Sequence, residues 1–86
     1  MDLDSRIRKL YFRSSHRGSK ETDIILAPYA EKNLAKMSPK ELDIFEAFLE
    51  ENDGDIWDWV VGKPNHKSQD YNNIIADLTA IYSVKN

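Results

Sequence analysis

Apolar residues recur along this chain at helical rather than alternating spacing. Leu3, Ile7, Leu10 and Tyr11 stand at i, i+4, i+7 and i+8, with Arg6, Lys9 and Arg13 on another face, which predicts an amphipathic helix near residues 4 to 14. Ser14 to Gly18 then break the pattern, and Gly18 supplies a position where positive φ costs little. The next stripe, Ile24, Ile25, Leu26, Tyr29, Ala30 and Leu34, predicts a second helix with Glu21 and Asp23 in its first turn, where the helix dipole favours acids. Pro28 should bend or shorten it. The third helix has the sharpest start, a capping box of Ser38 and Glu41 around Pro39, and its apolar face of Leu42, Ile44, Phe45, Phe48 and Leu49 carries it to about Asn52. Asn52, Asp53 and Gly54 read as a turn, and Asp55 as the cap of a short helix holding Ile56, Trp57, Trp59, Val60 and Val61, stopped by Gly62 and Pro64. Ser68 caps a last helix in which Tyr71, Ile74, Ile75, Leu78, Ile81 and Tyr82 form the most regular stripe of all. No alternating β-branched run is bounded by hairpin turns. The predicted fold is all-α: a compact five-helix bundle, residues 1–86 forming a single small domain. The linker-like segment from Gly62 to Lys67 is too short to separate domains, and 86 residues leave no room for a second core.

Charge divides the chain. Residues 1 to 20 hold six basic groups, Arg6, Arg8, Lys9, Arg13, Arg17 and Lys20, against Asp2 and Asp4, whereas Glu41 to Asp58 holds eight acids and no Lys or Arg. An acidic run of that length repels phosphates and suits either a solvated face or a basic partner. The basic first helix, with Tyr11 and Phe12, leaves a nucleic-acid-binding reading open as the alternative, but an isoelectric point near 5.3 works against it. The same helix has the look of a mitochondrial targeting segment, although Asp2, Asp4 and the continuity of its apolar stripe favour mature structure. No apolar run approaches the roughly 18 residues of a membrane span, and no signal-peptide stretch opens the chain; the protein is expected to be soluble and intracellular.

Candidate chemistry is sparse. With no cysteine there is no thiolate metal site and no thiol nucleophile. His16 and His66 lie far apart and outside metal-ligand spacing, so both are expected at the surface without a metal. Glu51, Asp53, Asp55 and Asp58 suggest a calcium loop by composition, yet they miss the ligand positions of an EF-hand. No serine lies in a Gly-x-Ser-x-Gly elbow, and Gly18, Gly54 and Gly62 make no phosphate-cradling loop. No catalytic constellation is predicted, and the chain is expected to be a binding module rather than an enzyme.

One segment is more specific. Lys9-Leu10-Tyr11-Phe12, then Ser14, then Arg17-Gly18-x-x-Glu21-Thr22-Asp23 followed by Ile25-Leu26 and Tyr29 resembles the signature of the succinate dehydrogenase assembly factors called flavinators. Leu49-Glu50-Glu51-Asn52-Asp53, with Asp55-Ile56-Trp57-Asp58-Trp59 and Gly62-Lys63-Pro64, resembles that family's acidic turn and aromatic plug. The resemblance covers about residues 5 to 82. It implies a five-helix assembly factor that binds the flavoprotein subunit of succinate dehydrogenase, and in bacteria that of fumarate reductase, and promotes covalent attachment of FAD to it. FAD would be held by the partner and not tightly by this chain. Partner contact would fall on Arg17, Gly18 and Glu21, supported by Asp23 and by the edge from Tyr11 to Ser14. Ser15 and His16 stand where members more often have basic residues, and Ser19 where an apolar one is usual. The location implied is the cytoplasm in a bacterium or the mitochondrial matrix in a eukaryote. An antitoxin-like regulatory role, also attached to some bacterial members, is the other alternative.

Overall fold

The computed structural model describes residues 3–64 and 66–85, and the helical periods of the sequence become five α-helices: α1 (Leu3–Ser15), α2 (Lys20–Asn33), α3 (Pro39–Leu49), α4 (Asp53–Val60) and α5 (Asn72–Lys85). Short 3₁₀ turns at Leu34–Lys36 and Gln69–Tyr71 follow α2 and precede α5. The fold is an all-α bundle with no strand among the described residues. Asp2, counted in the charge of the first segment, and Asn65, within the linker-like one, lie outside the described residues. Helix α2 is the central spar: it packs on α1, α4 and α5, while α3 lies against α1 and α4 against α5. The Cα radius of gyration is 12.1 Å, near the roughly 12 Å expected of a globule this long.

The caps explain where each helix begins and ends. Ser38 Oγ accepts from the Glu41 N–H at 3.2 Å while the Glu41 carboxylate accepts from the Ser38 N–H at 2.9 Å, closing the predicted box. Those bonds to Ser38 also hold the Glu41 carboxyl below its ordinary range. Helix α3 ends at Leu49, three residues short of the expected Asn52. The N–H groups of Glu50 and Glu51 turn back to the carbonyls of Ala47 and Phe48, tightening the last turn. Asn52 is thereby released to cap α4, accepting from the Asp55 N–H at 2.8 Å. This corrects the expected cap: Asp55 sits inside the first turn, and Asp53 and Gly54 are helical rather than a free turn. At the other end Gly62 has φ of 85°, with its N–H bonded to Trp59 O and that of Lys63 to Asp58 O. This is a Schellman stop, for which glycine is the natural residue. Ser68 caps the 3₁₀ turn that leads into α5.

Two further expectations change. Pro28 does not shorten α2, which runs unbroken through it. Proline removes only the donor for the Ile24 carbonyl, Ile24 is exposed, and the burial of Ile25, Leu26, Tyr29 and Ala30 around it favours continuing the helix. The apolar face of α1 is narrower than its sequence implies. Leu10 and Ser14 are buried and Ile7 packs at the core's edge, whereas Leu3 and Tyr11 are exposed.

Phe48 stands at the centre of the core. Its ring meets Tyr71 edge-on at 5.1 Å, Trp59 at 5.9 Å and Phe45 at 6.4 Å. Trp57 lies outside this cluster and contacts Tyr82 edge-on at 5.3 Å, so the tryptophan pair serves two contacts rather than one plug. Truncation of a fully enclosed aromatic ring loses both transfer energy and packing, about 3 to 5 kcal/mol. Phe48→Ala should therefore lower the melting temperature by roughly 12 °C or more, read by circular dichroism; a drop of less than about 4 °C contradicts this core.

Candidate functional site

The junction between α1 and α2 is built around a positive-φ glycine and an arginine turned inward. Gly18 has φ of 92°, and a Cβ placed on it would meet nothing within 4 Å. Glycine is thus required there by backbone conformation and not by crowding within the chain. Arg17 precedes it, and its side chain is only 11% exposed. Nε donates to Asp53 Oδ1 at 2.6 Å, Nη1 to the Leu49 carbonyl at 2.7 Å and Nη2 to the Glu51 carbonyl at 2.6 Å. The planar guanidinium therefore joins the end of α3, whose last carbonyls lack intrahelical donors, to the first turn of α4. Charge favours the same placement, since a cation suits a helix C-terminus and the Asp53 carboxylate a helix N-terminus.

Neighbouring groups lock the junction to this clasp. The Arg17 backbone N–H donates to Asp23 Oδ1 at 3.1 Å. Thr22 is fully buried, with its hydroxyl in donating reach of the Ser19 carbonyl at 3.2 Å and of Asp53 Oδ1 at 3.3 Å. Tyr71 OH donates to Glu51 Oε2 at 3.1 Å, and burial together with that bond pushes the Tyr71 hydroxyl above its ordinary pKa. The two separated sequence motifs thus form one structural unit. Asp53 and Thr22, which hold it, were not singled out as site residues from sequence. An arginine and an aspartate within the two motifs were the available signal.

The predicted site residues divide into three groups. Gly18 and Glu21 are exposed, with Glu21 accepting from Ser19 Oγ at 3.2 Å, and Tyr11 is exposed on α1. Asp23 is half-buried and Arg17 faces inward. Ser14 is fully buried and offers no surface, which corrects its place on the contact edge. It lies four residues after Leu10, donates to the Leu10 carbonyl at 2.7 Å, and continues the inner face of α1. Phe12 is 60% exposed and stacks on His16 at 4.1 Å, extending the edge beside Arg17.

The basic side of α1 meets the acidic run inside the molecule. Arg6 pairs with Asp43 and Glu46, and Arg13 with Glu50 at 3.1 Å and Glu46 at 3.9 Å. These exposed pairs add little stability. They do occupy cations that a nucleic-acid footprint would need. Among the described residues no three His, Asp or Glu side chains are grouped to hold a metal ion, and no helix is long and apolar enough to cross a membrane.

A family model described as "Flavinator of succinate dehydrogenase" matches residues 8–82. The "FAD assembly factor SdhE" of Acetobacter pasteurianus is 40% identical over 62 residues, 72% of this chain and 57% of that protein. The mitochondrial "Succinate dehydrogenase assembly factor 2" of Candida glabrata is 41% identical over 58 residues, 67% of this chain and 38% of that protein. Its counterpart in Saccharomyces cerevisiae is 40% identical over 57 residues, 66% of this chain and 35% of that protein. The chain thus spans little more than half, or less, of the length of these relatives. No solved structure matches.

The clasp generates a stability prediction. Lysine can offer Arg17's partners a point charge but not a fork, so Arg17→Lys should cost about 2 kcal/mol. Arg13→Lys, in an exposed pair, should cost less than about 0.5 kcal/mol. Urea denaturation of the two variants checks the contrast; equal losses contradict a special role for Arg17.

Proposed function

The chain belongs to the family of flavinators of succinate dehydrogenase, and from that premise we propose that it binds the flavoprotein subunit of this enzyme and promotes covalent attachment of FAD. Its action is that of an assembly factor, in a bacterial cytoplasm or a mitochondrial matrix. The flavoprotein of fumarate reductase, a related flavoprotein, is the second partner in the same reading.

One observation carries the site assignment: an exposed, open Gly18 and an exposed Glu21 flank a junction that buried groups fix in place. An open glycine lets a partner backbone approach closely, and the glutamate beside it supplies an acceptor. Gly18, Glu21 and the Tyr11 edge are the contact surface in this reading. Arg17 and Asp23 position it from beneath. Covalent flavinylation requires the flavin and its acceptor histidine to be held in reacting geometry. A helper can favour that arrangement by binding it better than the alternatives, without a nucleophile of its own and without holding FAD. The nucleic-acid and antitoxin-like alternatives draw on the basic face of α1, and the engagement of Arg6, Arg13 and Arg17 with groups of this chain counts against them.

The test is covalent flavin fluorescence of the co-expressed flavoprotein subunit after denaturing electrophoresis. Glu21→Ala should lower flavinylation at least about tenfold, as expected for loss of one charge-assisted contact. The melting temperature should stay within roughly 5 °C, because only a first-turn charge is removed. Wild-type flavinylation by Glu21→Ala overturns the site assignment.

A further inference from the structure

Two cavities open side by side along α2 and α5, the smaller reaching across to α3. The smaller, about 180 Å³, lies over an apolar floor of Met37, Ile44 and Ile74. The larger, about 530 Å³, shares Tyr29, Asn33 and Asp77 with it and continues towards Ile81 and Val84. Tyr29 is the pivot of this cleft. The residue is 4% exposed and its ring rests on Phe45 at 5.4 Å. Its hydroxyl makes no hydrogen bond to another described residue and opens onto the cleft, where solvent reaches it. Burial first, and then the charges of Asp77 and Glu41, push that hydroxyl up to about 12, so it is neutral throughout the physiological range.

The ring is enclosed but the hydroxyl is reachable from the cleft, so a group bound there can hydrogen-bond to it. Among the described residues Glu41, Asp70 and Asp77 line the smaller cavity against Lys36, and Lys32 joins Asp77 on the larger, so carboxylates outnumber cations along the cleft. Glu41 already uses one oxygen in its capping box. The complementary group is therefore cationic, carries several donors, and has an apolar stem to cover the floor. Arginine has all three properties: a fork of five donors can serve a phenol oxygen and a carboxylate together, while its methylene stem lies on apolar surface. Lysine concentrates its charge on one point and matches the spread of acceptors less well.

We propose that this cleft is a second recognition site, taking an arginine side chain presented by a partner polypeptide, with the guanidinium bridging Tyr29 and Asp77. It goes beyond the flavinylation reading. The cleft begins about two helical turns along α2 from Thr22 and uses neither Gly18 nor Glu21.

The experiment is a nuclear magnetic resonance titration of the isotope-labelled full chain with a blocked Leu-Arg-Leu tripeptide, its citrulline counterpart and free L-arginine. Citrulline keeps the shape of arginine and removes the charge. The arginine tripeptide should give saturable shifts centred on the amides of Asn33, Asn73 and Asp77. The citrulline peptide should bind at least about tenfold more weakly. Tyr29→Phe and Asp77→Asn should each weaken the arginine tripeptide comparably, with unchanged melting because one keeps the ring and the other changes an exposed residue. Equal binding of the citrulline peptide, shifts confined to the acids of α3, or no saturable shift up to about 10 mM overturns the proposal. Free L-arginine binding as tightly as the tripeptide assigns the cleft to a small molecule and overturns the polypeptide partner.

Discussion

The guanidinium of Arg17 is where three separate stretches of the chain are made to agree. The side chain donates to the carbonyls of Leu49 and Glu51 around the end of α3 and to the Asp53 carboxylate at the start of α4, while the Arg17 backbone N–H donates to the Asp23 carboxylate in the first turn of α2. Each of these partners needs a donor for its own reasons. A helix end leaves carbonyls unsatisfied, and a half-buried carboxylate requires a counter-charge. Withdrawing the arginine would therefore expose several deficits at once, while a surface pair such as Arg13 with Glu50 leaves none behind.

This arrangement separates what holds the junction from what the junction presents. Thr22, Arg17 and Asp53 face inward and fix the path of the backbone; Gly18 and Glu21 face outward on that path. A docking point whose backbone is already fixed loses less conformational entropy when a partner binds. It also follows that substitutions within one short motif act through different links of the chain, inner ones through stability and outer ones through recognition. The ion pairs between α1 and α3 extend the same economy to the surface, because opposite charges that look like two interaction faces in the sequence are spent largely on one another.

The helices themselves were legible in the sequence because the 3.6-residue stripes, the Ser38 box and the Gly62 stop are local signals. The misreadings concern places where a distant contact decided between local options. Asn52 and Asp55 were both competent caps, and the early end of α3 at Leu49 gave the role to Asn52. Pro28 carries a local signal for a bent or shortened helix, and the buried residues around it outweigh the shortening. The resemblance alone places Ser14 on the contact edge, whereas its spacing from Leu10 sets it on the inner face. In the candidate site, Gly18 and Glu21 could be picked out by their motif, but nothing local says that Arg17 turns inward. That depends on Leu49, Glu51 and Asp53, more than thirty positions away.

The most direct test of the clasp is a double-mutant cycle on Arg17→Ala and Asp53→Ala, with stability measured by denaturant unfolding of the two single variants, the double variant and the parent. If the two side chains form one interaction that the junction depends on, the cycle gives a coupling of at least about 1 kcal/mol, and the double variant is less destabilised than the sum of the singles. Losses that add within about 0.3 to 0.5 kcal/mol contradict it, and leave the junction without the anchor described.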